Sequence, residues 1–129
     1  MTAPQDRKYT RTHEWVKIED DIVIIGLTDY AQQELGDITY LELPEAGDSV
    51  ASGEAFGVVE SVKAASDVYS PIDGEVVARN DGAVDGPEVI NASPYNDAWL
   101  IKVRISDPAA LDALMNPDDY DTYAAEAVH

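Results

Sequence analysis

Apolar positions in this chain recur every second residue in short runs, each closed by glycine, proline or an acidic pair. HEWVKIE (13–19) and DIVIIGL (21–27) predict a hairpin over the tight Glu19-Asp20-Asp21 region. DITYLELP (37–44) alternates Ile38, Tyr40 and, weakly, Glu42 against Thr39, Leu41 and Leu43, then stops at its proline. EAFGVVESV (54–62), SDVYSPI (66–72), GEVVARN (74–80) and AWLIKVRI (98–105) complete the set of strand-like runs. In the first of these, Phe56, Val58 and Val62 point one way and Gly57, Val59 and Ser61 the other. Many short strands with Gly and Pro punctuation predict an all-β sandwich or barrel.

Helical periodicity is confined to the periphery. Thr28 caps a short helix running through Leu35 and ended by Gly36. Pro87 opens a further turn at PEVIN, and the acid–glycine pairs of DGAVDG (81–86) read as loop. Asp107 followed by Pro108 starts a helix with Leu111, Leu114 and Met115 on one face. Asn116-Pro117 stops it and begins a second, with Asp118 and Asp119 in the first turn, where they suit the helix dipole. Its apolar stripe, Tyr120, Tyr123, Ala124 and Ala127, is expected to pack onto the sheet. No linker or low-complexity tract divides the chain, so a single domain over 1–129 is expected. Its β core would span about 9–106 and its C-terminal helices 107–129. GDSVASGE (47–54) and GEVVARNDG (74–82) form a weak internal echo, both opening Gly-acid-x-Val.

Composition narrows the function. At 129 residues and 45% hydrophobic content, an ordinary core is within reach. No apolar run is long enough to span a bilayer, and MTAPQDRKYT has no secretory signal, so a cytoplasmic protein is expected. The absence of cysteine removes disulfides, thiolate metal sites and thiol nucleophiles. The net charge of −18 is uneven: residues 1–17 carry +2 and the remainder −20. Such a polyanion repels nucleic acid and anionic membranes alike. It also repels itself, so adaptation to a salty, halophilic cytosol is expected, with loss of structure when salt is removed.

Against that acidity one base stands out. Within ESVKAASDVYSP (60–71), Lys63 lies between Val62 and Ala64 with no charged neighbour in sequence. The strand-like runs on either side place it at a hairpin tip, its ε-amine in water on a rigid base. An ordinary solubilising lysine would sit among polar turn residues rather than Val and Ala. The reading favoured here is that the amine is there to be modified. Elsewhere the chemistry is thin. The two histidines, His13 and His129, are not placed as a metal pair, and no serine nucleophile motif accompanies them. His13 is read as structural, and Trp15 and Trp99 as core. Asp81-Gly82 and Asp85-Gly86 are turn signals without the calcium-loop pattern.

GVVESVKAASDVYSPIDGEV (57–76) resembles the lipoyl-attachment segment of the glycine cleavage system H proteins. YTRTHEWV (9–16), GLTDYAQQELGD (26–37), LELPEAGD (41–48), PEVIN (87–91) and SPYNDAWLIKV (93–103) resemble that family's other blocks in order, from about Tyr9 to the tail. The departures, DGAVDG and Asn96-Asp97-Ala98, do not touch the lysine. The resemblance implies a mainly β fold: a flattened lipoyl/biotinyl-type β-barrel of two small antiparallel sheets with quasi-twofold symmetry, peripheral short helices and a C-terminal helical segment. It implies covalent lipoate on Lys63 and a non-catalytic carrier, expected to be a monomer. The implied partners are a pyridoxal-phosphate (PLP) glycine decarboxylase, a tetrahydrofolate-dependent aminomethyltransferase, an FAD-containing dihydrolipoamide dehydrogenase and a lipoate-attaching enzyme. A cationic aminomethyl cargo needs shelter from water between visits. Glu14 and Asp67, with the Thr12 hydroxyl, are the expected docking residues. Three rivals remain. A lipoyl relay to other complexes would lack glycine-dependent CO2 exchange. A biotin carrier, whose lysine normally lies between methionines, would differ in intact mass. An independent enzyme would show activity without partners.

Overall fold

The computed structural model describes residues 3–127. His129 and the first two residues therefore lie outside it, as does the side chain of Ala127 in the expected tail stripe. Nine strands appear in chain order: β1 (Lys8–Tyr9), β2 (Glu14–Glu19), β3 (Ile22–Leu27), β4 (Ile38–Glu42), β5 (Ser49–Val50), β6 (Ala55–Ser61), β7 (Ala65–Tyr69), β8 (Gly74–Arg79) and β9 (Trp99–Ile105). Helix α1 (Asp29–Leu35) follows β3, α2 (Asp81–Asp85) and α3 (Val89–Ala92) precede β9, and α4 (Pro117–Ala127) closes the chain. Two antiparallel sheets result: six strands in the order β1-β2-β3-β9-β8-β5, and three in the order β4-β6-β7. They face each other across one core, Val16, Val23, Ile25 and Val103 on one side and Leu41, Val59 and Val68 on the other. Each such burial contributes about 1.5–3 kcal/mol relative to an exposed side chain. Among the described residues no helix is long and apolar enough to cross a membrane.

The hairpin and cap signals act locally, as their residue chemistry requires. Glu19 pairs with Ile22 across the β2–β3 turn, where Asp20 takes φ +58. An acidic side chain tolerates that left-handed region better than most. Thr28 accepts the Ala31 N–H at 3.2 Å to start α1, and Gly36 ends it at φ +79, donating its N–H to Gln32. The two echo segments turn out to be partners: Ser49 pairs with Glu75 and Val50 with Gly74. Antiparallel pairing is itself a local twofold arrangement, so the echo has a physical counterpart.

Five expectations need correction. First, strict alternation in 37–44 separates Ile38 from Leu41, yet both are buried. A register shift between Ile38 and Tyr40 inserts one residue and turns both apolar side chains inward. Second, DGAVDG is a short helix, because the Asn80 side chain caps it at Ala83 N and Ala83 is buried. Third, the helix expected after Asp107 is a 3-10 turn, Pro108–Ala113. Leu111 enters the core, but Leu114 is extended and Met115 exchanges two backbone hydrogen bonds with Tyr9, at 2.9 and 2.8 Å. Fourth, the strand at 66–72 stops at Tyr69, where Ser70 bonds the backbone of Ile72 with its hydroxyl. Fifth, Trp15 is core but Trp99 is only half-buried, with the Lys102 ammonium over its ring at 4.9 Å.

Candidate functional site

The β6–β7 ladder ends at Glu60 opposite Ala65, leaving Ser61 to Ala64 as the tip. Ser61 organises it. Its N–H donates to the Ala64 carbonyl at 2.8 Å, and its hydroxyl oxygen accepts the N–H groups of Lys63 and Ala64 at 3.2 Å each. The Val62 N–H donates to the Asp37 carbonyl at 3.1 Å, tying the tip to the start of β4. Four hydrogen bonds thus fix the backbone under Lys63 while its side chain stays exposed. Val62 is 69% exposed beside it, an apolar contact surface that a solubilising turn would not need. The lysine chain lies along the end of α1: a Cβ added at Gly36 would stand 3.4 Å from Lys63 Cε. That is ordinary van der Waals contact, and it is the φ of +79 that favours glycine there. Among the described residues no carboxylate is within ion-pair distance of Lys63.

Leu35, the residue before Gly36, lines a cavity of about 280 Å³ that also gathers Thr12, Glu14 and Asp67. All three residues expected from the sequence therefore border one space. Its apolar wall is Leu27, Ala31, Leu35 and Val59. Its polar end is Glu14, 1% exposed at the start of β2. One carboxylate oxygen accepts the hydroxyls of Thr10 at 2.6 Å and Thr12 at 2.5 Å, and the other accepts the Tyr69 N–H at 3.4 Å. Burial pushes the Glu14 carboxyl above its ordinary range, and the two hydroxyls and the amide pull it back. Thr12 and Asp67 are exposed at the rim. A larger groove, about 590 Å³, is also bordered by Glu14, together with the Thr10, Thr12 and Tyr69 groups that bond its carboxylate. Of the two spaces, only the smaller is lined by Leu35, the neighbour of Gly36.

A cavity with an apolar wall and a carboxylate in its lining fits a hydrocarbon arm with a cationic tip, and the exposed Lys63 amine fits amide attachment. Sequence reasoning missed Thr10, whose hydroxyl shares the Glu14 oxygen, and the role of Gly36 under the lysine chain. The T-x-T-x-E spacing of 10–14 was the available signal for the first. Tyr30 and Glu34 also line the cavity, four residues apart on α1 as one helix face requires. His13 is structural, as expected: its ring packs on Tyr30 at 4.4 Å between centroids and its Nδ1 bonds Tyr120. Among the described residues no group of three or more His, Cys, Asp or Glu is gathered for a metal.

The family model described as "Glycine cleavage H-protein" matches residues 7–127. The chain is 51% identical over 124 residues to a glycine cleavage system H protein of Carboxydothermus hydrogenoformans, covering 96% of this chain and 95% of that one. It is 48% identical over 126 residues to the protein of the same name in Anaeromyxobacter sp. strain K, covering 98% of both. A crystal structure of a glycine cleavage system H protein from Mycobacterium marinum superposes with a TM-score of 0.87 at 37% identity, covering 98% of this chain and 100% of that one.

Proposed function

Because this chain belongs to the glycine cleavage H-protein family, we propose that it is a lipoyl carrier with Lys63 as its attachment point. It is a non-catalytic, cytoplasmic, monomeric component that moves an aminomethyl group between partner enzymes. These are the PLP glycine decarboxylase, the tetrahydrofolate-dependent aminomethyltransferase and the FAD-containing dihydrolipoamide dehydrogenase, with a separate enzyme attaching the lipoate. Lipoate held on Lys63 would supply a dithiolane, whose sulfur–sulfur bond can take up an aminomethyl unit.

The protein's own residues position and protect. Ser61 holds the tip rigid, so a partner can reach Lys63 without distorting the sheet. Amide formation removes the lysine charge, and tethering raises the local concentration at a docked partner to roughly millimolar. Leu27, Ala31, Leu35 and Val59 exclude water from the arm's length. Glu14 accepts hydrogen bonds from the cationic amine at the end, with the Thr12 hydroxyl and the Asp67 charge at the rim. With no cysteine in the chain, no thiol competes for the lipoyl sulfurs.

The observation that carries this reading is one exposed lysine, on a hydrogen-bonded tip, beside a cavity bordered by Thr12, Glu14 and Asp67. Intact mass and peptide mapping of the protein from its own cells should place lipoate on Lys63. Lys63→Arg should abolish glycine-dependent CO2 exchange with the decarboxylase; exchange at an undiminished rate would end the proposal.

A further inference from the structure

We propose that Tyr120, in α4, is a positioning residue for this cavity, its hydroxyl bridging the two walls by side-chain bonds beside the backbone bond from Thr28 to His13 that also joins them. The inference rests on the carrier reading above, since it concerns how the cargo's shelter keeps its shape. One wall is the Thr10–Glu14 turn, which brings Thr12 and Glu14; the other is α1, which brings Ala31 and Leu35. The Tyr120 hydroxyl lies between them, 2.8 Å from His13 Nδ1 and 2.7 Å from Thr28 Oγ1. His13 lies within the turn and Thr28 is the cap of α1.

The donors and acceptors close into one chain. The Thr28 oxygen already accepts the Ala31 N–H, so its hydroxyl proton is free to go to the Tyr120 oxygen. Tyr120 then donates to His13 Nδ1, which is an acceptor in a neutral ring protonated on Nε2. A protonated His13 would have to donate from Nδ1 and reverse the chain. Burial opposes that protonation and Glu34, the one charged side chain acting on the ring, favours it; burial is the larger effect.

The turn is closed by its own bonds, Thr10 N–H to the Glu14 carbonyl at 3.0 Å and Glu14 N–H to Thr10 Oγ1 at 3.1 Å; the tether adds a link from it to α1. His13 has φ +70, a conformation that side-chain-bearing residues disfavour. Its carbonyl is held by the Thr28 N–H at 3.0 Å and its ring by Tyr120 and Tyr30. A second strap comes from the same helix, where the Tyr123 hydroxyl donates to the Arg11 carbonyl at 2.9 Å. Tyr120 is itself anchored, 1% exposed and stacked on Tyr9 at 4.7 Å. The C-terminal helix thus supplies none of the residues that line the cavity, yet it adds side-chain bonds to both of its walls.

Tyr120→Phe removes the hydroxyl and keeps the stacked ring. In lipoylated protein charged with glycine, the loaded form should decay roughly tenfold faster than wild type. Val103→Ala, in the main core but not among the residues that line the cavity, serves as the control for general loosening and should leave the lifetime unchanged. A wild-type lifetime in Tyr120→Phe, with Glu14→Gln still shortening it, overturns the positioning role alone. An unchanged lifetime in Glu14→Gln removes the shelter reading and this inference with it. Equal shortening by Val103→Ala also overturns the role. Nitrogen NMR of unmodified wild-type protein gives a readout independent of loading and of any variant's folding. It should show His13 as the single Nε2–H tautomer with a hydrogen-bonded Nδ1; the Nδ1–H tautomer overturns the chain.

Discussion

Glu14 is a fully buried carboxylate whose neighbours on the polar side are two hydroxyls and one amide rather than a cation. Its pKa is raised, so ionisation costs the folded state more than the unfolded one. The penalty is absent below the ordinary carboxylate range and complete above the raised folded value. Glu14→Gln should therefore stabilise the unloaded protein near pH 7 by about 1 kcal/mol, or roughly 4 °C in melting temperature. That gap should vanish near pH 4; a gap independent of pH would mean that the carboxylate was not the cause. The same variant should shelter the cargo poorly, since an amide offers no charge to the amine. His13 acts in the opposite sense: burial lowers its pKa, so stability it contributes above about pH 6.5 is lost as pH falls through the depressed value. Stability and function thus pull against each other at residue 14, as they do where a site must hold an unpaired charge.

At the scale of elements, the cavity depends on where α1 ends relative to β4. Asn91, on α3, fixes that junction. Its carbonyl oxygen accepts the Ile38 N–H at 2.9 Å, and its amide donates to Gln32 Oε1 at 2.9 Å and the Gly36 carbonyl at 2.8 Å. One side chain thereby joins α1, its glycine terminus and the first residue of β4. Asn91→Ala should cost about 2 kcal/mol. It should also speed hydrogen exchange at the Ile38 amide, which loses its acceptor. A drop in melting temperature without faster exchange at Ile38 would show that the junction is held otherwise. Close approach elsewhere explains two glycines that periodicity does not. A Cβ at Gly57 would fall 2.4 Å from the Glu42 carbonyl, and one at Gly26 would fall 2.5 Å from the Trp15 ring.

For the whole molecule, the charge of −18 is scarcely relieved by pairing. Arg7 meets Asp6 at 2.9 Å, Arg79 meets Asp81 at 2.8 Å, and Arg104 lies 3.7 Å from Asp21 and 3.8 Å from Glu75. The carboxylates in these pairs are more than half exposed, so each pair contributes little. Self-repulsion among the remaining acids is screened by salt. We expect the melting temperature to fall as potassium chloride is withdrawn from molar to dilute buffer, by about 2 kcal/mol or roughly 8 °C. Carboxylate-to-amide changes at exposed positions such as Asp20, Asp48 and Glu54 should flatten that slope. A melting temperature indifferent to salt would remove the halophilic reading while leaving the carrier proposal untouched.

The sequence by itself determined the longer strands, the α1 caps and the lysine hairpin, but not the two-residue strand β1. Alternation, capping hydroxyls and turn residues act within a few positions of one another. It also determined the family, because ordered blocks around ESVKA survive as text. Only the tertiary structure decided what long-range contacts decide. The Thr39 bulge depends on pairing with β6, the helix at 81–85 on burial of Ala83, and the extended Leu114–Met115 on Tyr9. Asp67 is more than fifty residues of chain from Thr12 and Glu14, yet all three border one cavity because the two sheets pack face to face. No local pattern carries the Tyr120 contact with His13, since it spans 107 positions. Periodicity records which face of an element is buried; the partner it is buried against is set by packing.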